Sequence, residues 1–358
     1  GTHARVGIKG LWLGLPEIHL GLLPGAGGTQ RLPRIAGVEA TLDMATTGKH
    51  VPAPKALGLG IVDAVDEDCV GAAKAKAREL AAAGSWPVIA NMPKPVVADG
   101  FFDAARAQIE KKARGQMSPI LCLDAIKAAT ELSFAEGMDK ERELFVEGLS
   151  SDQSRGLIHA FFGEREVAKI PGLDPEAQPR EVKTAAIIGA GTMGGGIAMC
   201  FANAGIPVMV LEQTQEALDK GLRVCRRNYE NTAKKGRLTM DQVEQRMALF
   251  TGTTDINDLA DVDIVIEAVF ENMDVKKDIF TKLDAVCKAG CVLATNTSTL
   301  DINQIASVTE LPQDVIGMHF FSPANVMRLL ENVRGDATAD DVILTAMNMG
   351  KRLGRVSV

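Results

Sequence analysis

Residues 183–205, Lys-Thr-Ala-Ala-Ile-Ile-Gly-Ala-Gly-Thr-Met-Gly-Gly-Gly-Ile-Ala-Met-Cys-Phe-Ala-Asn-Ala-Gly, restrict the fold of this chain more than any other stretch. A short apolar run ends in Gly189-Ala190-Gly191-Thr192-Met193-Gly194, a small-residue helical pattern follows, and Pro207–Glu212 reads as a second strand ending in a carboxylate. Strand, glycine turn, helix and strand in that order form the context in which a G-x-G-x-x-G motif binds a dinucleotide. Gly189 permits the tight turn, Gly191 lets the backbone approach a pyrophosphate, and Gly194 lets the helix pack on the strand. The helix N-terminus offers N–H groups and a positive dipole end to phosphates. Glu212 stands 18 residues after Gly194, placed to accept hydrogen bonds from an adenosine ribose. A carboxylate there repels a 2′-phosphate, so NAD is favoured over NADP. The bland alternative is a glycine-rich turn of some other α/β sheet.

From Lys183 onward the pattern alternates strand and helix. Strands are expected at 249–253, 262–269, 291–296 and 315–320, with polar helices over 215–235 and 275–287. Such alternation predicts a mostly parallel, doubly wound sheet with its ligand crevice at the strands' carboxyl ends. Those ends carry Glu267 to Glu271, Asn296-Thr297-Ser298 and His319. Oxidation of an alcohol by NAD needs a base for the hydroxyl proton, and histidine suits that role near neutral pH. A carboxylate on the other ring nitrogen would strengthen it. Glu331, in what reads as a following strand, is the candidate partner; the alternative is two unrelated polar residues at strand ends.

The first half reads differently. Gly14–Arg34 is a glycine- and proline-rich loop in which Thr29 could cap a helix starting at Gln30. Helices are expected over 39–47 and 70–83, with a strand at 61–65. Glu17, a carboxylate among apolar neighbours, invites an acid–base reading against the alternative of a solvated loop glutamate. Residues 91–180 read as mainly helical, with periodic stretches at 101–114, 120–136 and 151–162, then a proline-rich linker at 170–179. The cationic residues of 106–114 could meet a ligand's phosphate or simply face solvent. His159, among apolar residues, reads as packed.

At 358 residues the chain has room for two or three domains, and its 46% hydrophobic and 24% charged content suits a globular protein. A net charge of −7 argues against a nucleic-acid partner. The six cysteines lack CxxC spacing and read as reduced core thiols, with no metal site expected. No apolar run is long enough for a membrane span and no signal peptide is visible. The chain starts without methionine and stops in an expected strand, so both ends look cut.

Two resemblances sharpen these readings. Leu15-Pro-Glu-Ile-His-Leu-Gly-Leu-Leu-Pro-Gly-Ala-Gly-Gly-Thr-Gln-Arg-Leu-Pro-Arg34 resembles the signature of the crotonase (enoyl-CoA hydratase) superfamily. There the glutamate matching Glu17 is one of two carboxylates that handle water and the α-proton; the other, and the oxyanion N–H groups, are expected upstream of Gly1. Gly317-Met-His-Phe-Phe-Ser-Pro-Ala324, Val326–Glu331 and Asn296-Thr-Ser-Thr-Leu300 resemble L-3-hydroxyacyl-CoA dehydrogenase. That resemblance makes His319 the base, Glu331 its partner, and Ser298 a hydrogen-bond donor to the substrate oxygen near the nicotinamide. It also implies NAD contacts from Met193, Glu212, Val269, Phe270, Glu271 and Lys276. Ser322 stands where many members have asparagine, with its backbone still able to touch cofactor or substrate. The helical substrate domain that follows in that family is expected beyond Val358.

The resulting expectation is an α/β chain similar to the multifunctional enzymes of fatty-acid β-oxidation. Residues 1–90 would be the C-terminal part of a crotonase core, 91–180 a helical linker region, and 181–358 a Rossmann-type NAD-binding domain. The resemblance implies hydration of trans-2-enoyl-CoA and NAD-dependent oxidation of L-3-hydroxyacyl-CoA, with isomerase activity common in such proteins. It implies a peroxisomal location in a eukaryote or a cytoplasmic one in a bacterium. Some related bacterial proteins bind a thiolase, which these residues do not decide. Two alternatives stay open: a dehydrogenase of another 3-hydroxy acid on an inert scaffold, and a nucleotide- or CoA-binding module without turnover.

Overall fold

A computed structural model describes residues 2–358, which divide into two compact units meeting at Gly163/Glu164. In the first, β1 (Val6–Gly7), β2 (Trp12–Leu13), β3 (Val51–Pro52) and β4 (Ala64–Val65) make two small pairs, β1 with β4 and β2 with β3. The rest is helical: α1 (Gly28–Ala36), α2 (Val38–Thr47), α3 (Ala53–Gly58), α4 (Cys69–Ala83), α5 (Phe101–Ala113), α6 (Ser118–Glu131), α7 (Phe134–Leu149) and α8 (Asp152–Glu166). Ile18 and Leu23 of the loop, Val38 and Leu42 of α2, Leu121 and Ile126 of α6 and Leu144 of α7 share one core. The apolar faces of α6 and α7 therefore need the loop and α2 beneath them.

Four local expectations are corrected here. The periodic stretch 120–136 is two helices, broken at Leu132, because Ser133 and Glu136 form a reciprocal capping box that starts α7. The strand expected at 61–65 is reduced to Ala64–Val65, since β1 offers it only two residues. Thr29 does not cap α1. Its amide and hydroxyl instead donate to Glu141 Oε2, at 3.1 and 2.5 Å, while Gly27 N donates to Oε1 at 2.6 Å. His159 is exposed on α8, not packed.

In the second unit, β5 (Ala185–Ile188), α9 (Thr192–Asn203), β6 (Val208–Leu211), α10 (Gln215–Lys234), α11 (Met240–Met247) and β7 (Phe250–Thr253) come first. Then follow β8 (Ile264–Glu267), α12 (Met273–Val286), β9 (Val292–Thr295), α13 (Ile302–Ala306), β10 (Val315–Phe320), β11 (Leu329–Arg334), α14 (Asp340–Arg352) and β12 (Val356–Ser357). They form one eight-stranded sheet in the order β12-β11-β10-β9-β8-β5-β6-β7. Strands β7 through β10 are parallel; β11 runs antiparallel to β10 and parallel to β12.

Continuous apolar runs serve this sheet because both faces are covered. Ala185 and Ile187 pack with Phe201 of α9, Leu218 of α10 and Val342 of α14. Ala186 and Ile188 face the other way, against Phe280 and Leu283 of α12 and Ile305 of α13. The chain leaves β5 for β6 on one side and returns to β8 on the other. That reversal opens a crevice at the carboxyl ends of β5 and β8.

Candidate functional site

At the end of β5, Gly189 takes φ +101, a conformation that costs a non-glycine residue dearly. A Cβ on Gly194 would sit 1.8 Å from the Gly189 carbonyl oxygen, so only glycine lets α9 start so close to the turn. Gly191 is the N-cap of α9, and a Cβ there would meet nothing. The backbone is thus bare on its outer side, where a phosphate group could approach. A cleft of about 820 Å³ opens there, lined by Gly191, Leu211, Glu212, Val269, Phe270 and Ile279 among others. Glu212 Oε2 accepts from Ala190 N at 2.9 Å and Oε1 from Gln213 N at 2.8 Å. The carboxylate so braces the glycine turn as well as facing the cleft. Bare glycine backbone, helix N-terminus and strand-end carboxylate fit a dinucleotide.

The ends of β8, β9 and β10 carry the polar groups. His319 and Glu331 are direct register partners on the antiparallel pair β10–β11, with side chains on one face. His319 Nδ1 lies 2.8 Å from Glu331 Oε2. A carboxylate only accepts, so Nδ1 carries the proton and Nε2 presents its lone pair. Phe321 packs on the imidazole at 4.5 Å between ring centroids. Asn296, just past β9, accepts from Phe320 N at 2.7 Å and ties the two strand ends together.

Beside them, Glu271 Oε1 accepts from Thr297 Oγ1 at 2.5 Å and Ser298 N at 3.0 Å, with Ser298 Oγ at 3.4 Å. Burial alone would raise the Glu271 carboxyl, but these donors and Lys276 outweigh it and hold it below the usual carboxylate range. Lys276 is only 1% exposed. Its ammonium meets both oxygens of Glu267 at 2.8 Å and Glu271 Oε2 at 3.3 Å. The expected Lys276–NAD contact therefore has to share an ammonium already held by two carboxylates. Ser322 is exposed, in a segment whose next residues pack on α9: a Cβ on Gly196 would lie 3.1 Å from Ala324 Cβ.

The sequence marks Glu267 only as a residue at a strand end. It is fully buried and accepts from Thr295 Oγ1 at 2.6 Å and Val269 N at 2.8 Å as well as from Lys276. An acidic residue closing the apolar run Ile264-Val-Ile was the available signal.

Two findings place the chain among known proteins. Residues 184–358 match the family described as 3-hydroxyacyl-CoA dehydrogenase, NAD binding domain, and residues 11–120 match enoyl-CoA hydratase/isomerase. The peroxisomal bifunctional enzyme of Danio rerio is 43% identical over 364 residues, covering 99% of this chain and 50% of that protein. Over nearly its whole length the chain is similar to multifunctional proteins of β-oxidation. The peroxisomal fatty acid β-oxidation multifunctional protein MFP2 of Arabidopsis thaliana is 38% identical over 364 residues, again 99% of this chain and 50% of that one. The chain thus spans about half the length of the curated relatives it matches. The crystal structure of the dehydrogenase part of multifunctional enzyme 1 from C. elegans matches 56% of the chain and 48% of its own, at 32% identity and TM-score 0.50. The second unit is an NAD-binding domain.

In the first unit, Glu17 sits on the one-and-a-half-turn 3₁₀ segment Pro16–Leu20. Among the described residues its Oε2 is buried with no hydrogen-bond partner, a costly state for a carboxylate oxygen. The Gly27–Thr29 turn nearby in sequence is fixed by Glu141, which is 1% exposed and whose carboxyl burial pushes upward. Sequence reasoning passed over Glu141 because it lies 112 residues from its Thr29 partner. Arg106 pairs with Asp124, and Lys111, Lys112 and Arg114 are exposed. Among the described residues no helix is long and apolar enough to cross a membrane.

Proposed function

We propose that the protein hydrates trans-2-enoyl-CoA through its first unit and oxidises the L-3-hydroxyacyl-CoA product with NAD through its second. The His319–Glu331 pair, 2.8 Å apart in direct cross-strand register, carries this reading. His319 Nε2 takes the proton of the substrate hydroxyl. Glu331 holds the ring through Nδ1 and stabilises the imidazolium that results. Ser298, oriented by Glu271, offers its hydroxyl to the substrate oxygen. The glycine turn, Met193, Glu212, the Val269–Glu271 segment and the Ser322 backbone would hold NAD, which would supply the hydride acceptor. Glu17, with its unpartnered oxygen, exchanges protons in the hydration half.

In domain terms, residues up to about 90 continue a crotonase core that the helices of 91–163 complete, and residues from 181 hold the nucleotide. The names of the fish and plant relatives support a peroxisomal location in a eukaryotic source, and a bacterial source would put the protein in the cytoplasm. A thiolase is the partner to seek by co-purification.

Glu17→Gln is expected to slow enoyl-CoA hydration while 3-hydroxyacyl-CoA oxidation keeps its wild-type rate, because the two groups lie on separate units. Parallel assays of both reactions check this; equal loss of both would reduce Glu17 to a structural residue. Glu212→Ala is expected to weaken NAD binding, since each hydrogen bond to a charged acceptor contributes about 1.5–3 kcal/mol. It should also narrow the gap between NAD and NADP. Equilibrium titration of both nucleotides would expose an unchanged preference, which would remove Glu212 from the ribose site.

A further inference from the structure

The Glu267–Lys276 pair is closed on itself. Glu267 engages Lys276 through both oxygens and fills its remaining acceptor positions with Thr295 Oγ1 and Val269 N. Lys276, buried to 1%, has no further charge to give, yet Glu271 also leans on it at 3.3 Å. Two carboxylates thus share one ammonium, and one negative charge is left over at the exposed member, Glu271. That member holds Ser298, and Asn296 ties the same loop to the strand of His319. A ring that accepts hydride from the carbon whose hydroxyl His319 deprotonates has to lie at these strand ends.

Resting on the dehydrogenase reading above, we propose that the uncompensated charge of Glu271 shifts the preference of this site toward oxidised and away from reduced nicotinamide dinucleotide. The oxidised ring carries a positive charge and the reduced ring none. A nearby fixed negative charge therefore discriminates between them by Coulomb attraction alone, apart from any hydrogen bond it makes. The consequence is directional. The charge raises the site's affinity for its oxidant relative to its product.

The test separates charge from contact. NAD and NADH are titrated separately by calorimetry, at one salt concentration, into the wild-type chain, Glu271→Gln and Glu271→Asp. Glu271 is exposed, so both variants should fold, with circular dichroism as the check. In Glu271→Gln the ratio Kd(NAD)/Kd(NADH) should rise by about tenfold, the order expected of one screened charge at short range. In Glu271→Asp, which keeps the charge but shortens the reach, both affinities should fall and the ratio should stay near wild type. A ratio unmoved in Glu271→Gln overturns this inference and leaves the dehydrogenase reading intact. Failure of the wild-type chain to bind either nucleotide overturns both.

Discussion

Replacing His319 by Gln should lower oxidation of a 3-hydroxyacyl-CoA by roughly 10²–10⁴-fold, the usual contribution of a positioned acid–base group, and leave NAD affinity near wild type. On the proposed mechanism the imidazole Nε2 faces the substrate hydroxyl, whereas the cleft proposed for the nucleotide is lined by Gly191, Glu212 and Val269. Glu331→Gln should slow the same step, because the amide keeps the shape but not the charge that stabilises an imidazolium on Nδ1. If the two residues act as one unit, the double variant should be little slower than His319→Gln alone. Steady-state kinetics on the four proteins measures this. Defects that simply multiply would mean that the 2.8 Å contact is structural and not functional.

Lys276→Met should be the most damaging substitution for stability in the second unit, costing about 3–5 kcal/mol. It leaves the Glu267 carboxylate at 0% exposure with its countercharge gone. The double variant with Glu267→Gln should recover part of that loss, since the charge to be compensated disappears with it. Urea melts followed on the second unit give the comparison. A loss under about 1 kcal/mol in Lys276→Met would show that water reaches Glu267 as soon as the ammonium leaves, and that the pair is less sealed than its exposure indicates.

Much of the second unit was legible because its signals are local. The G-x-G-x-x-G turn, the apolar runs and the acid at 212 follow one another within 30 residues, and their periodicity survives folding unchanged. The His319–Glu331 pairing was reachable only as a choice among strand-end residues, since its register depends on how the turn between the strands is built. The first unit was harder. Thr29 looks like a cap until Glu141, over a hundred residues away, takes its amide and hydroxyl. Leu132-Ser133 looks like helix interior because flanking apolar spacing continues across it, although the Ser133-x-x-Glu136 capping box was there to be read. Glu267 escaped for another reason: a carboxylate at the end of an apolar strand reveals its role only when the helix bearing Lys276 is laid beside it.

The antiparallel ladder β10–β11 of the eight-stranded sheet also bears on the order in which the site forms. His319 and Glu331 are separated by 12 residues, and Glu267 and Thr295, on parallel neighbours, by 28. Closing the shorter loop costs less chain entropy, and a hairpin needs no crossover helix to be in place first. The proton-handling pair can therefore be assembled from a local turn, while the charged cluster under it waits for β8, α12 and β9 to meet. In a folding experiment followed by pulsed hydrogen exchange, the amides of 316–320 and 330–334 should gain protection before those of 265–267 and 293–295.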